Sequence, residues 1–464
     1  MSARQQVVIT GAGAVSPFGL GLPALFDGLR SGKSAIAPIR WFDASAFPAR
    51  VAGEVACDLH DGGICHAWLQ AALAQTVPPA MQNLAMVSTL ARYAAIGAWR
   101  DRKTVFGLLA ALEAWHMAGL STGPAAMSAM PPDGIGLVLA LGLEQGFLQD
   151  FGPVFTGSAI DWQAAPPRPG IVYRAEVDLC AQLLNDVLPL HGVQMINVSA
   201  CAAGGLAIAQ AASLIERGAA SMVLCGGADS MLNPLGLGGM SRLGAPSPRN
   251  TADACRPFDT RRDGLVIGEG AAMLLLESAS SARARGARVL ARMLGHGSTQ
   301  DAWRVTAPRP DGSSAARAMQ QALAHAGLPA SKVDYINAHG TGTPLNDVAE
   351  SRAIASVFGA HTPPVSSIKG AIGHLMAASG AMEAAACLLP LLHDVLPGNC
   401  NLQQKDEQCE VNLIGAQPLL LAGAASAGQS ACDPAQAATR VQLVLSNSFG
   451  FGGQNVALLL GRAE

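Results

Sequence analysis

Charged residues are scarce in this chain. Asp, Glu, Lys and Arg make up 14% of its 464 residues, against roughly a quarter in an average soluble domain. The net charge is only −3, and the basic residues are scattered, which excludes a general attraction to nucleic acid or to an anionic membrane. Because 50% of the residues are hydrophobic, we expect a partner subunit to cover much of the surface and predict an obligate oligomer.

The sequence also lacks the signals of export and of membrane insertion. The apolar strand Val7–Thr10 follows the first residues directly, without a charged region, a long apolar stretch or a cleavage site. No window approaches about 18 uninterrupted apolar residues. We therefore predict a cytoplasmic protein with no membrane span.

The ten cysteines contain no CxxC pair and no even framework of short spacings. Most of them should be reduced and buried. Cys57, His60, Cys65 and His66 are of the residue types that bind zinc, but their spacing matches no standard site. We interpret them as ordinary loop residues and predict no metal site.

The first strand, Val7–Thr10, is expected to end in a Gly-Ala-Gly-Ala turn at residues 11–14. A GxG pair alone is a weak dinucleotide signature. Pro17 also prevents a helix from starting where a pyrophosphate site needs one. We therefore reject a Rossmann domain.

The order of strands and helices favours a layered α/β protein. A strand, a tight turn and an Ala-rich helix are predicted over Met195–Ile215, and the same order recurs over Pro364–Leu389. Two closing strands are predicted at 441–446 and 455–460. This weak duplication predicts two similar α/β halves, with helices between and outside their sheets.

Three separated segments each place one reactive side chain among small residues: Cys201, His339 and His374. A thiol and two imidazoles indicate acyl-group chemistry. Cys201 lies where a predicted strand turns into a helix, and we expect the helix dipole there to favour the thiolate. A neutral imidazole at His374 could donate a hydrogen bond to an enolate or oxyanion. Each of these residues alone would more often be structural, so the prediction depends on all three.

Two further features accompany them. Lys369 is a cation in apolar surroundings and should pair with a carboxylate if it is buried, with Glu350 and Glu383 as candidates; otherwise it faces solvent at a turn. The Gly-rich segment Phe449–Gly453 suits a backbone that approaches a ligand closely and donates N–H groups. A simple hairpin turn is the alternative for that segment.

Longer motifs lie around these residues along nearly the whole chain. They are Val7–Gly11, Arg256–Asp259, Arg262–Gly264, Gly268–Gly270, Ala338–Asp347 and Asn447–Gly453. In this order they resemble the β-ketoacyl-[acyl carrier protein] synthases of the elongating type, members of the thiolase-fold superfamily. The resemblance implies a thiolase-like α/β fold of two duplicated halves in a five-layered αβαβα architecture. The nucleophile would lie in residues 1–275 and the two histidines in residues 276–464.

The resemblance also implies the chemistry. Cys201 would accept an acyl chain from a carrier-protein thioester, with the backbone N–H groups of Cys201 and Phe451 as the oxyanion hole. His339 and His374 would stabilise the enolate formed when malonyl-carrier protein loses carbon dioxide. The enolate carbon would then attack the acyl-enzyme and give a 3-ketoacyl thioester two carbons longer.

Supporting roles follow from the same resemblance. Lys369, paired with Glu350 or Glu383, would order the site. Thr341 and Thr343 would bind the phosphopantetheine arm. Because that arm arrives on the acyl carrier protein, no resident cofactor is expected.

The remaining implied roles concern the acyl pocket and the partners. Phe449 and Phe451 would form a gate that senses acylation of the nucleophile, and Met240 would close the acyl pocket. The expected partners are acyl- and malonyl-loaded acyl carrier protein and a second subunit, in a homodimer or alternatively in a heterodimer.

Two segments, residues 56–100 and 147–191, depart from the family pattern where the pocket and dimer contacts are usually built. They slightly favour a specialised polyketide or aryl-polyene pathway over ordinary fatty-acid elongation. One alternative function is a non-catalytic subunit like the chain-length factors, which lack the nucleophile. Another is a degradative thiolase, which uses a second cysteine near the C-terminus, where Asn447–Asn455 has none.

Overall fold

The computed structural model describes residues 4–60, 63–122, 131, 133–142, 155–156, 159–160, 178–421 and 440–464. The strands are β1 Val7–Ser16, β2 Gly19–Leu20, β3 Ala37–Pro38, β4 Val51–Ala52, β5 Leu59–His60, β6 Gly63–Ile64, β7 Ile135–Leu141, β8 Phe155–Thr156, β9 Ala159–Ile160, β10 Gln194–Asn197, β11 Met222–Asp229, β12 Gly270–Ser278, β13 Ala291–Gln300, β14 Tyr335–Asn337, β15 Val365–Ser366, β16 Val395–Leu396, β17 Leu419–Leu420, β18 Leu443–Gly450 and β19 Gln454–Arg462. The α-helices are α1 Gly21–Ser31, α2 His66–Thr76, α3 Leu84–Ala95, α4 Arg102–Met117, α5 Leu179–Val187, α6 Ala203–Glu216, α7 Pro234–Arg242, α8 Ala279–Ala284, α9 Ser313–Ala326, α10 Pro344–Phe358, α11 Lys369–Ile372, α12 Ser379–Ala386 and α13 Leu388–His393.

Eleven of the described strands form one sheet with a repeated pattern. Its order is β10-β7-β11-β12-β1-β13-β19-β18-β14-β15, and β2 pairs with the end of β1. From β1 out to β10, two antiparallel pairs are followed by two parallel pairs. The same orientations recur from β13 out to β15. The two halves are therefore copies of one topology, joined where β1 pairs with β13.

Helices lie between and outside the two halves of this sheet. Helix α4 packs on β1, β11 and β12, whereas α9 packs on β13 and β19 and is itself covered by α10. Helices α6 and α12 pack against each other and contact strands of both halves. Because these two helices are enclosed, they are rich in alanine: α12 is buried on all sides, and α6 is buried except for a half-buried face at Leu206, Gln210, Ser213 and Glu216. This order of layers confirms the predicted αβαβα architecture.

The predicted division of the chain at residues 275 and 276 stays a prediction. That boundary falls inside β12, which pairs with both β1 and β11. The strand-turn-helix units predicted in each half are present: β10 leads to α6, and β15 leads through α11 to α12. The second unit is less regular than predicted, because a 3-10 turn at Met376–Ala378 separates α11 from α12.

The turn predicted at residues 11–14 is wrong. Strand β1 continues without a turn to Ser16. An ideal Cβ at Gly11 would lie 2.0 Å from the Ala114 carbonyl oxygen, and one at Gly13 would lie 2.1 Å from that of Ala110. The two glycines therefore let α4 press against the strand, and their conformational freedom is not used for a turn.

The segment predicted to be unusual at residues 56–100 is a small subdomain on α4. A hairpin, β5–β6, is followed by helices α2 and α3, and their buried side chains share one apolar cluster with those of α4. Much of the second unusual segment, residues 147–191, lies outside the described residues. So do most of residues 153–174, where the Pro, Gly and aromatic content predicts an irregular excursion, and most of residues 421–438, whose composition predicts a surface loop.

One helical stretch of the described chain, Met376–His393, is long and apolar enough by composition to cross a membrane. However, 89% of it is buried inside the protein, and it includes α12 of the central helical layer. Its apolar character is accounted for by its place in the core.

Candidate active site

Cys201 lies in a one-turn 3-10 helix, Ala200–Ala202, between the end of β10 and the start of α6. The preceding residue, Ala200, has a φ of 47°, which an L-residue other than glycine rarely adopts. Such strain is often found where a reactive side chain is held in place. The sequence prediction of a strand, a turn carrying the cysteine and a helix is therefore confirmed.

The expected preference of Cys201 for the thiolate is not supported. Burial raises the pKa of the Cys201 thiol to about 11, and it outweighs the Lys369 cation and the Phe451 backbone N–H, which both act in the opposite direction. The thiol is only 9% exposed, so the loss of solvation dominates. Burial therefore favours the thiol form of Cys201 over the thiolate at neutral pH.

His339 follows the buried strand β14 and is held in one tautomer by Lys369. The ammonium Nζ lies 3.1 Å from His339 Nδ1 and donates to the His339 carbonyl oxygen at 2.5 Å. An ammonium group has no acceptor, so Nδ1 must accept and the ring hydrogen lies on Nε2. Burial, Lys369 and His374 hold the pKa of His339 well below its usual value. His339 is therefore a neutral hydrogen-bond donor.

His374 lies between α11 and α12, with its ring at right angles to that of His339. The ring centroids are 5.3 Å apart and the interplanar angle is 83°. Backbone bonds from His374 N to Val266 O and from Gly268 N to His374 O fix its position. Burial and the Lys369 charge hold the pKa of His374 well below its usual value. The neutral imidazole predicted for His374 is confirmed, and burial of the ring is the main cause.

Lys369 is buried and pairs with Glu383 rather than with Glu350. Its ammonium makes a short contact with the Glu383 carboxylate, and Ser448 Oγ donates to the other Glu383 oxygen at 3.3 Å. Glu350 instead accepts the backbone N–H groups of His339 and Gly340, each at 2.8 Å. Glu383 thus balances the cation, whereas Glu350 fixes the turn that carries His339.

A cavity of about 520 Å³ brings the reactive groups together. Cys201, His339 and His374 all line it. The other predicted site residues in its wall are Met240, Thr341, Thr343, Phe449 and Phe451. Lys369, Glu350 and Glu383 do not line it. Lys369 contacts the His339 ring, Glu350 accepts the His339 backbone N–H, and Glu383 contacts Lys369.

The two threonines are placed for contact with a polar ligand. Thr341 Oγ1 and Thr343 Oγ1 lie 2.8 Å apart and share a hydrogen bond. The Thr341 backbone N–H donates to Asp347 Oδ1 at 3.1 Å. Each hydroxyl therefore keeps hydrogen-bonding capacity toward the cavity, and the assignment to a phosphopantetheine arm stays a prediction.

The segment Phe449–Gly453 ends β18 and passes over Cys201. An ideal Cβ at Gly450 would lie 3.1 Å from the backbone nitrogens of both Cys201 and Ala202. Glycine there leaves space next to the Cys201 amide, and the Phe451 N–H lies close enough to bind its sulfur. The oxyanion hole and the gate stay predictions, with a geometry that suits them.

Met240 lines the cavity on one side and packs into an apolar cluster on the other. That cluster contains Cys201 and the side chains of Leu237, Ile267 and Met376, all of them buried. The wall next to Cys201 is thus apolar, which suits an apolar ligand.

Two features of the site were missed from the sequence. Asp301 fixes the Gly-rich segment, since its backbone N–H donates to Gly453 O at 2.7 Å and its carboxylate accepts from Asn455 Nδ2 at 2.7 Å. Arg304, in the loop after β13, lines the cavity. An isolated Asp or Arg outside a recognisable motif carries no signal of this role.

Metal binding finds little support among the described residues. Cys57 Sγ lies 3.2 Å from the Arg102 guanidinium, and this cation opposes a metal ion. Glu216, His296 and His325 place ligand atoms within 4.8 Å of one another. However, His325 Nδ1 accepts the His296 N–H at 3.1 Å, so its Nε2 carries the hydrogen and has no free lone pair for a metal.

Comparison with known proteins identifies relatives for both halves. Residues 98–282 match the family model of the β-ketoacyl synthase N-terminal domain, and residues 290–403 match that of the C-terminal domain. The 3-oxoacyl-[acyl-carrier-protein] synthase 2 of Synechocystis sp. is 35% identical over 98% of this chain and 97% of its own. The tetracenomycin polyketide synthase ketoacyl synthase alpha subunit of Streptomyces glaucescens is 32% identical over 100% of this chain and 98% of its own.

Solved structures confirm the predicted fold. The ishigamide ketosynthase/chain length factor superposes with a TM-score of 0.78 at 29% identity, covering 100% of both chains. A type II polyketide synthase acyl-carrier protein in complex with its ketosynthase gives the same TM-score at 25% identity, covering 99% of this chain and 100% of the other.

Proposed function

Because the chain belongs to the β-ketoacyl synthase family, we propose that it is a 3-oxoacyl-[acyl carrier protein] synthase that joins malonyl-carrier protein to an acyl chain. The observation that carries this function is the convergence of Cys201, His339 and His374 on one cavity with an apolar wall. A nucleophile and two neutral hydrogen-bond donors are the groups that a decarboxylative condensation requires.

In the first half-reaction, Cys201 Sγ attacks the carbonyl carbon of an acyl-carrier-protein thioester. The Sγ–C bond forms, the bond to the pantetheine sulfur breaks, and the proton of the thiol passes to the departing sulfur. The reaction begins and ends with one thiol and one thioester, so it needs no permanently ionised cysteine. The Cys201 and Phe451 N–H groups would hold the negative oxygen that forms in between.

In the second half-reaction, malonyl-carrier protein loses its carboxylate as carbon dioxide. The electron pair of the broken C–C bond forms an enolate, whose oxygen would accept the Nε2–H of His339 and a hydrogen bond from His374. The enolate carbon attacks the acyl-Cys201 carbonyl, and the Cys201 sulfur leaves and takes up a proton from solvent. The product is the 3-oxoacyl thioester of the carrier protein.

Neutral histidines suit this role better than charged ones. A neutral donor stabilises the enolate without protonating its carbon, and the depressed pKa values of His339 and His374 keep both rings neutral at physiological pH. Thr341 and Thr343 would bind the phosphopantetheine arm, which arrives on the acyl carrier protein, and no resident cofactor takes part. The relative complexed with its carrier protein supports this partner.

The alternatives are less well supported. A chain-length-factor-like subunit would not need a nucleophile beside two ordered histidines. A degradative thiolase would place a second cysteine at the site, whereas Cys201 is the one cysteine in the described lining of the cavity. The nine described cysteines are free thiols, which supports a reducing compartment; we propose the cytoplasm, although one relative is chloroplastic.

The second subunit is proposed from an edge of the sheet that no further strand covers among the described residues. Edge strand β10 is flanked by exposed apolar side chains: Val193 is 39%, Ile196 41% and Val198 47% exposed. Its counterpart at the other edge, β15, is covered by the chain itself, since the backbone of Val365 bonds to residues 412 and 414. An uncovered apolar edge strand readily pairs with another chain. We propose that the β10 of a second copy covers it.

Sedimentation tests this dimer. Ile196→Lys should convert the dimer to a monomer, because it would place a charge in the apolar edge that the two copies share. Leu420→Lys, at a position of similar exposure (38%) in β17, should leave the mass unchanged. A wild-type protein that is monomeric at micromolar concentration would contradict the proposal.

The function is tested by intact-mass spectrometry after incubation with a panel of acyl-carrier proteins. We expect Cys201, and not a Cys201→Ser variant, to gain the mass of the preferred acyl group. Adding malonyl-carrier protein should then release carbon dioxide and the 3-oxoacyl product. The acyl group transferred distinguishes fatty-acid from polyketide elongation, and no mass gain with any member would refute the assignment.

A further inference from the structure

Arg304 is the one basic side chain, apart from the two histidines, in the described lining of the catalytic cavity. The two acidic side chains of that lining have other donors: Asp263 Oδ2 accepts from Arg249 Nε at 2.7 Å. Asp301 Oδ1 accepts from Asn455 Nδ2 at 2.7 Å. The Arg304 guanidinium makes no hydrogen bond and no ion pair with the residues that the structure describes. It is therefore free to bind an anionic group of a ligand.

The exposure of the lining side chains places Arg304 at the mouth of the cavity. Cys201 and Thr341 are buried, whereas Arg304 is exposed. Leu243 and Leu345 line the same cavity and are 54% and 63% exposed. The cavity thus has a buried end at the nucleophile and a solvent-facing end at which the guanidinium lies.

The loop that carries Arg304 is fixed on both sides of this residue. The Val305 carbonyl oxygen accepts the Gly452 N–H at 2.6 Å, and the Arg309 N–H donates to the Asp301 carboxylate at 2.9 Å. Gly452 belongs to the segment that passes over the nucleophile. The backbone that carries the cation is therefore held at a set position relative to the reacting thiol.

We propose that Arg304 binds the phosphodiester of the phosphopantetheine arm and so makes the cavity select phosphorylated thioesters over non-phosphorylated ones. The inference rests on the proposed function, because it takes the carrier-protein arm as the ligand. A guanidinium can donate two parallel hydrogen bonds to phosphate oxygens. Thr341 and Thr343 are neutral and would bind the uncharged part of the arm.

The chemistry of the substrate decides which anion reaches Arg304. The thioester lies at one end of the arm and the phosphodiester at the other, so an arm whose thioester is at Cys201 extends from the buried end toward the mouth. The malonyl carboxylate is the other anion of the reaction. It lies on the acyl side of the thioester, at the buried end, and thus far from an exposed arginine.

The test uses two thioethers, S-methyl-4′-phosphopantetheine and S-methylpantetheine, which differ only in the phosphate and contain no thiol. Each is added to the full-length protein, and alkylation of Cys201 by iodoacetamide is followed by peptide mass spectrometry. The concentration that halves the alkylation rate measures binding in this cavity. For the wild type, we expect this concentration to be about 3–10-fold lower for the phosphorylated compound, as for an exposed ion pair with charge-assisted hydrogen bonds.

Arg304→Gln removes the charge and should bring the ratio of the two concentrations to one, by weakening only the phosphorylated compound. Arg304→Lys should keep part of the ratio, because an ammonium retains the charge but not the planar fork. Arg309→Gln is the matched control in the same loop. Its guanidinium pairs with Asp311 at 3.0 Å, lies over the Trp303 ring and does not line the cavity, so the ratio should stay at the wild-type value.

Three results would overturn the proposal: equal concentrations for the two compounds in the wild type, a ratio that Arg304→Gln retains, or no protection by either compound. Salt gives a second measurement on the wild type alone. Raising the ionic strength from about 0.05 M to about 0.5 M should bring the ratio toward one, because salt screens exposed charges, and a constant ratio would contradict the proposal.

The outcome is separable from that of the proposed function, because alkylation requires no acyl transfer. Acylation of Cys201 by a carrier protein without any preference for the phosphorylated compound would support the function and refute the role of Arg304. A preference that depends on Arg304, without acyl transfer from any carrier protein, would do the reverse.

Discussion

Removal of the Lys369 ammonium is the most informative single change to this site. The group is 1% exposed and contacts the Glu383 carboxylate, the His339 ring and the His339 carbonyl oxygen. Lys369→Met keeps most of the side-chain volume and removes the charge and all three contacts. It should affect stability and catalysis through different partners.

The stability effect comes from Glu383. Breaking a buried ion pair typically costs about 3–5 kcal/mol, because the remaining charge is left without a partner. Even with Lys369 present, burial raises the pKa of Glu383 to about 7, and without the cation it rises further. The loss in the free energy of unfolding should therefore be larger at pH 8 than at pH 6, where Glu383 is largely protonated.

The double variant Lys369→Met/Glu383→Gln separates stability from catalysis. With no charge left in the pair, most of the stability at pH 8 should return. Activity should not return, because His339 Nδ1 still has no donor and its hydrogen is no longer confined to Nε2. Loss of one oxyanion donor typically costs about 10²–10³ in kcat, and we expect a decrease of this order in malonyl decarboxylation by the double variant.

Urea unfolding at pH 6 and pH 8 gives the stability, and release of labelled carbon dioxide from malonyl-carrier protein gives the activity. Lys332→Met, at an exposed lysine, is the control and should change neither. A double variant that decarboxylates at the wild-type rate would refute the assignment of Lys369 to the His339 tautomer. A single variant as stable at pH 8 as the wild type would refute the reasoning on the buried charge.

Four other changes are expected to have measurable effects. Burial raises the pKa of Glu113 to about 7 from 4.5, so the folded protein binds this proton more tightly than the unfolded chain. The contribution of Glu113 to the free energy of unfolding should fall by about 2–3 kcal/mol between pH 4.5 and pH 8. In urea unfolding, the stability of Glu113→Gln should therefore decrease by that much less than the stability of the wild type over this pH range. Gly13→Ala places a methyl group against a carbonyl oxygen of α4 and should cost about 3 kcal/mol or more in the same assay, whereas Gly415→Ala, with nothing within 4 Å, should be close to neutral. Gly450→Ala fills the space next to the nucleophile's backbone amide, and stopped-flow acylation should slow by about 10² or more; an unchanged rate would place the oxyanion hole elsewhere. Met240→Trp should shorten the longest acyl group seen by intact-mass spectrometry, and Met240→Ala should not.

The sequence predicts best those elements whose signals are local. The two closing strands predicted at 441–446 and 455–460 correspond to β18 and β19, because a short apolar run between turn residues needs no distant contact to be recognised. The duplicated units are also local patterns, each an apolar run followed by a Gly-rich turn and an Ala-rich helix. For this reason, the turns that carry Cys201 and His374 were located correctly.

The wrong predictions concern residues whose conformation, ionisation or partner depends on contacts with distant parts of the chain. Gly11 and Gly13 have the composition of a turn, yet they form a strand because α4 presses on them. The thiolate expected at Cys201 is opposed by burial, which depends on chain segments far away in sequence. Glu350 and Glu383 were equivalent candidates for Lys369, because both lie on helices and only the packing of those helices shows which one it contacts.

The position of β1 in the middle of the sheet has a consequence for synthesis of the chain. Residues 7–9 pair with residues 276–278 and with residues 291–293. At about 5–20 residues per second, the ribosome needs on the order of 15–60 s to add the partner strands after β1 has been made. During this interval the ten residues of β1, all buried in the final fold, have neither neighbour. Holding this segment apart from other nascent chains is thus a task for chaperones, and overexpression without them should yield aggregates.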